Sequence, residues 1–171
     1  MLLADTQTVV SWRARPRSFV ALMGLYESNF IRLGWLAGSL RSLVRGRYAS
    51  TVRGDCDLVL TVIERSAYTS TLNLTYMLPG VHGLLRCPDL RVRIYHDAHL
   101  AEAQPGDAVH TARPPRQARA GARPAFQTQR SRAERELHQR WARNMMLNKW
   151  LEYCVERGHR FSSSVEPGAG A

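Results

Sequence analysis

The residue types best suited to acid–base or anion chemistry fall in two short stretches of the sequence. They are Glu64 and Tyr68 in the first stretch, and Arg93, Tyr95, His96 and Asp97 in the second. A histidine beside carboxylates and a tyrosine can transfer protons. An arginine can hold a carboxylate or a phosphate through two parallel hydrogen bonds. The first hypothesis is therefore recognition of, or catalysis on, an anionic compound.

The period of a β-strand divides the second stretch between two faces. In a regular strand Arg93, Tyr95 and Asp97 point one way, and His96 points the other way with the apolar residues. We therefore predict a structural polar role for His96. The predicted ligand-binding residues are Arg93, Tyr95, Asp97, Glu64 and Tyr68. The plainer alternative is a cross-strand ion pair between Arg93 and either Asp97 or Glu64.

Three further polar or amphipathic residues lie on or beside apolar helix faces. They are Asn29, Asn144 and Trp141. A buried amide needs hydrogen-bond partners, so a structural hydrogen bond between two helices is the expected role. A ligand contact at the seam between the helices is the alternative.

No motif of a known catalytic class is present in the sequence, so the catalytic residues are unknown and enzymatic activity is left undecided. His96 and His99 would point to opposite faces of a strand, which disfavours a metal site. The sequence has three cysteines, Cys56, Cys87 and Cys154, with no pair at the spacing of a zinc or redox motif. We expect no metal, no cofactor and no disulfide framework.

The elements that must position these residues follow from the spacing of apolar side chains. Apolar residues at steps of three and four predict helices over 18–44 and 130–157, with a break of the first helix near Gly34 or Gly38 as the alternative. Alternation predicts strands over 48–53, 58–64, 68–78 and 90–97. Because no helical segment separates the strands, we predict an α+β fold in which an antiparallel meander of four to five strands packs against two long helices, one N-terminal and one C-terminal. The predicted core comprises Leu22, Phe30, Leu60, Leu72, Leu74, Val92, Ile94, Leu147, Leu151 and Cys154.

The length of 171 residues suits a single domain. We predict a flexible lead over 1–16, one domain over 17–159 and a disordered tail over 160–171. An arginine- and proline-rich loop over 105–129 interrupts the domain.

The net charge of +10 is carried almost wholly by arginine. A basic surface suits an acidic partner. In the loop over 105–129, Phe126 is the only aromatic residue, so that segment favours non-specific contact with nucleic acid at most. We find no secretory signal and no apolar run of membrane length, so a cytoplasmic location without membrane contact is expected.

Four stretches resemble the YqiB-like family of uncharacterised bacterial proteins. They are residues 26–30, 60–69, 91–98 and 144–154, and the tetrad Tyr-His-Asp-Ala at 95–98 is among the more specific parts. The resemblance spans about residues 19–159, with a gap at the loop. It departs from the family pattern at Gln139 and Arg140, in the last helix. The resemblance implies a bacterial, cytosolic protein with a domain of unknown function, and it implies no activity.

Three functions are compatible with these patterns. The favoured one is a non-enzymatic binding or regulatory module for a protein or a small anionic ligand. The alternative is a small enzyme that acts on an anionic substrate at a surface formed by Glu64, Arg93 and Asp97. A lesser alternative is non-specific association with nucleic acid through the basic loop.

Overall fold

The structure is a computed structural model that describes residues 17–81, 83–106 and 125–162, with side chains of the last helix described from residue 132. Its elements are α1 (Phe19–Ala37), β1 (Gly46–Ser50), β2 (Asp57–Arg65), β3 (Thr69–Gly80), β4 (Gly83–Tyr95), β5 (Leu100–Ala103) and α2 (Ala125–Glu156). The predicted lead over 1–16, residues 107–124 of the predicted loop and the predicted tail from residue 163 lie outside the described residues. The predicted loop end at residue 129 and helix start at residue 130 are wrong, because α2 already begins at Ala125.

The five strands form one antiparallel sheet in the order β1-β2-β3-β4-β5, so each strand pairs with its neighbours along the chain. This meander, flanked by an N-terminal and a C-terminal helix, confirms the predicted α+β fold. Two differences concern the strands. β4 begins at Gly83, before the predicted start at residue 90, and β5 is a separate strand after a turn.

Helix α1 begins and ends at residues whose chemistry favours a helix boundary. The Ser18 side chain accepts a hydrogen bond from the backbone N–H of Ala21 at 3.1 Å, as an N-cap does. The helix ends at Gly38, whose φ of +66° favours glycine and whose N–H donates to Gly34 O. The predicted extension to residue 44 is wrong because the chain turns at this glycine.

The core lies between both helices and one face of the sheet. All predicted core residues are buried except Phe30, which is partly buried. Trp141 belongs to a second buried cluster with Leu22 and Leu25, near the start of α1. The opposite sheet face is here called the outer face.

A network of buried amides joins α1, α2 and β5. The Asn29 amide donates to Asn144 Oδ1 at 3.2 Å and to Ala101 O at 3.3 Å. Asn144 Oδ1 also accepts from Ala103 N–H at 2.7 Å, and the Asn148 amide donates to Asn29 Oδ1 at 3.0 Å. These bonds fix how both helices sit against the edge strand.

The end of the described chain returns to α1. Phe161 is buried in the core, and its backbone N–H donates to Leu36 O at 2.8 Å. The chain thus contacts the core two residues beyond the predicted domain end at residue 159. A single phenylalanine in a stretch rich in serine and glycine gave too little periodicity to predict this contact.

Candidate functional site

A groove with a cavity volume of about 700 Å³ runs between the C-terminal half of α1 and the turn that joins β4 to β5. We call it the α1 groove. Its side chains include Ile31, Trp35 and Arg41 on one wall and His96, Asp97 and His99 on the other. Its size suits a small-molecule site.

The α1 wall is apolar along the helix and cationic beyond the end of the helix. Ile31 and Trp35 lie one helical turn apart, and the Trp35 side chain is 55% exposed. The chain turns at Gly38 and then brings Arg41 to the groove. Arg65, at the end of β2, donates from Nη2 to Arg41 O at 2.6 Å, so this hydrogen bond ties a second arginine to the same segment.

The opposite wall is the four-residue turn over 96–99. Tyr95 and Leu100 form the last strand pair before it, and His96 N–H donates to Tyr68 O at 2.8 Å. His99 has a φ of +54°, a conformation that few residues other than glycine adopt. Its ring centroid lies 5.2 Å from that of Phe30, so the turn packs directly on α1.

His96 is the one predicted structural histidine, and it is 5% exposed. Its Nε2 lies 2.8 Å from Ser70 Oγ. Burial lowers the pKa of His96, and the positive charges of Arg41 and Arg65 lower it further, against the opposing effect of Asp97. The imidazole is therefore neutral at neutral pH, because both burial and the nearby arginine charges disfavour its protonated form.

The predicted ligand-binding residues are divided between two surfaces. Asp97 lines the α1 groove. Glu64 and Arg93 lie on the outer face, where both pair with Thr71, because a β-bulge after Val62 rotates Glu64 to that side. Two residues further along β4, Tyr95 pairs with Thr69 and lies on the same outer face.

The remaining predicted binding residue is Tyr68, and the remaining predicted contact is an ion pair of Arg93 with Asp97 or Glu64. Tyr68 is exposed beside the turn between β2 and β3. Among the described residues Arg93 forms no ion pair with a carboxylate, and its Nε is buried without a hydrogen-bond partner. Thr71 is the residue that contacts Glu64, at 3.5 Å.

A second histidine cluster was missed by the sequence analysis. His159 is fully buried, with Nδ1 3.1 Å from Ser50 Oγ and Nε2 3.5 Å from Asp55 Oδ2. Burial acts to raise the pKa of Asp55, but hydrogen bonds from Cys56 N–H and Arg157 outweigh it and leave that pKa lowered. His159 is fully buried and does not line the α1 groove, so this serine–histidine–carboxylate set has a structural role and ties the end of α2 to β1. The only local sequence signal near His159 is Gly158, which marks the end of the helix directly before it.

Two features are absent from the described residues. No group of three or more His, Cys, Asp or Glu side chains in that part of the chain is placed to hold a metal ion. Within the same ranges, neither helix combines the length and apolar character needed to cross a membrane.

The model of a family described as "Protein of unknown function (DUF1249)" matches residues 32–160, which is well over half of the chain. The chain belongs to this family. Similarity to curated proteins agrees with the match and with the YqiB-like resemblance. The uncharacterised protein YqiB of Escherichia coli strain K12 is 28% identical over 143 residues, which is 82% of this chain and 90% of the relative. The YqiB proteins of the O6:H1 and O157:H7 strains give the same figures.

The DUF1249 match includes Trp35, Arg41 and the whole 96–99 turn, so most of the α1 groove lies within the family's shared domain. No solved structure gives a significant match.

Proposed function

We propose that the protein is a non-enzymatic, cytoplasmic binding module that takes a small anionic ligand in the α1 groove. The observation that carries the proposal is the position of Arg41 in the groove wall, with Arg65 hydrogen-bonded to its carbonyl oxygen. Arg41 lines one end of a partly apolar cavity, and Arg65, which does not line it, adds a second positive charge to the same segment. This arrangement favours an anion, because positive potential is concentrated between walls of low dielectric constant.

The groove offers a distinct contact for each part of such a ligand. Arg41 donates to the anionic group through its guanidinium, which suits a carboxylate or a phosphate. Ile31 and Trp35 cover the apolar part. Asp97 repels the anionic group and so favours one orientation, with the charge turned toward Arg41.

The state of His96 supports binding rather than catalysis. A general acid or base works best with a pKa near the operating pH and with its nitrogen directed at the substrate. Here the pKa of His96 is lowered, mainly by burial, and its Nε2 is occupied by Ser70. His96 therefore supports the turn that carries Asp97 and His99.

The test compares Arg41→Ala with Arg53→Ala, a change at another exposed arginine that does not line the groove. Benzoate and phenyl phosphate are the first probes, with thermal melting and isothermal calorimetry as readouts. We expect either probe to raise the melting temperature of the wild type and of Arg53→Ala, and not that of Arg41→Ala. Equal binding by all three proteins, or binding by none, contradicts the proposal.

The second candidate is anion recognition or catalysis at the outer face around Arg93. It is favoured by the absence of an ion pair at Arg93 among the described residues. Asp97 lines the groove instead, so this candidate keeps Glu64, Tyr95 and Arg93 as its residues. If Arg93→Ala removes binding of the same probes and Arg41→Ala does not, the outer face is the site.

The lesser candidate, nucleic-acid association through the basic loop, rests mainly on residues 107–124, which lie outside the described residues. Deletion of 107–124 should lower affinity for a random-sequence RNA and flatten its dependence on salt concentration. Unchanged affinity at low salt would remove this candidate.

A further inference from the structure

We infer that the ligand of the α1 groove carries a flat aromatic ring next to its anionic group. This inference rests on the proposed function and adds the shape of the ligand. It follows from two aromatic side chains that line the groove, namely an exposed Trp35 and a His99 held at a positive φ.

The first is Trp35. Its indole is more than half exposed although it stands on a helix whose opposite side is fully buried at Leu33 and Leu36. It lines the same cavity as Arg41. A rigid indole beside an arginine is typical of recognition sites, because the ring offers a large apolar area with little loss of conformational entropy.

The second is His99. A residue with a side chain at φ +54° is held in a less favourable backbone conformation, which glycine would adopt more readily. Such conformations concentrate at binding and active sites. The conformation places the imidazole against Phe30, with centroids 5.2 Å apart and planes at 57°, and both rings line the groove.

The rest of the lining distinguishes a flat ring from an aliphatic chain. The groove is bordered by Ser39, Arg41 and Asp97, so its apolar area is interrupted by polar groups. An aromatic ring has an electron-rich face and an electropositive edge, so it can turn its face toward Arg41 and its edge toward Asp97. An alkyl chain would place methylene groups against the charged side chains.

The experiment measures the affinity of the full chain for three probes, namely 2-naphthoate, cyclohexanecarboxylate and inorganic phosphate. It uses the wild type, Trp35→Leu, and Tyr153→Leu as the control, since Tyr153 is an exposed aromatic residue on α2 that does not line the groove. Leucine keeps the apolar character at position 35 and removes the flat ring.

We expect the wild type and the control to bind 2-naphthoate about fivefold more tightly than cyclohexanecarboxylate, and Trp35→Leu to lose that preference. Equal affinity of the wild type for both carboxylates overturns the aromatic ligand and leaves the anion site standing. If no probe binds, the proposed function fails as well. Because the preference for the aromatic probe is read from a ratio of affinities, a modest loss of stability in Trp35→Leu does not affect that conclusion.

Discussion

His96 Nε2 and Ser70 Oγ lie 2.8 Å apart, and both side chains are buried where β3 and the 96–99 turn meet. The bond holds the first residue of the turn to the sheet, while Asp97 and His99 of the same turn line the groove. One polar contact in the core thus supports one wall of the candidate site.

The lowered pKa of His96 predicts a specific dependence of stability on pH. The unfolded chain takes up a proton near the ordinary value of 6.5, whereas the folded chain resists it down to the lower folded pKa. The free energy of unfolding should therefore fall as the pH drops below 6.5, because the unfolded state binds more protons there. In urea denaturation at pH 7.5 and 5.5, the wild type should lose more stability than His96→Gln. Equal losses would show that His96 titrates alike in both states.

The buried amide network predicts a large effect of Asn144→Ala. The change removes the acceptor of the Ala103 N–H and one of the two acceptors of the Asn29 amide, and both donors stay buried. We expect a loss of about 3 kcal/mol in the free energy of unfolding. Met146→Ala, at an exposed position of the same helix, should change it by less than about 0.5 kcal/mol. Similar values for both variants would show that water replaces the lost acceptor.

The backbone of His99 predicts an unusual order of stabilities. Both His99→Gly and His99→Ala remove the ring contact with Phe30, but only glycine relieves the positive φ. His99→Gly should therefore be more stable than His99→Ala by about 1 kcal/mol, in equilibrium unfolding. At Ala98, a neighbour without positive φ, a change to glycine should instead be destabilising. Both His99 variants should bind 2-naphthoate more weakly than the wild type.

The return of the chain to α1 predicts that Phe161 contributes to stability. Phe161→Ala should cost about 3 kcal/mol, because it leaves a cavity among buried residues. Val81→Ala, at a fully exposed hairpin position, serves as the control and should be nearly neutral in the same denaturation experiment. A neutral Phe161→Ala would place the end of the domain at residue 159, as the sequence suggests.

The sequence predicted the central strands because apolar and polar side chains alternate over 69–78 and 90–95. This alternation reflects one buried and one outer face of the sheet. It did not predict β5 as a separate strand, since Leu-Ala-Glu-Ala consists mostly of weak strand formers. Packing against α1, which the local sequence does not show, holds this segment at the sheet edge. The sequence leaves the end of α1 open between a break near Gly34 or Gly38 and a helix to residue 44, because the apolar spacing continues beyond Gly38 to Leu40 and Leu43.

For the candidate site, the sequence indicated one wall of the groove. His96 and Asp97 belong to one short stretch of polar residues, so the sequence alone marks them as candidates. Trp35 and Arg41 belong to another element, and no local pattern shows that α1 packs against the 96–99 turn. The contact between Ser50 and His159 spans 109 residues and was invisible for the same reason.

The order of strands in the sheet bears on the kinetics of folding. Because every strand pairs with its sequence neighbour, the sheet can grow hairpin by hairpin with short loops to close. The contacts of α2 instead join residues far apart, such as Asn29 and Asn144, which are 115 positions from each other. Helix α2 is therefore the element expected to dock after the rate-limiting barrier, and substitutions on its inner face should accelerate unfolding more than they slow refolding.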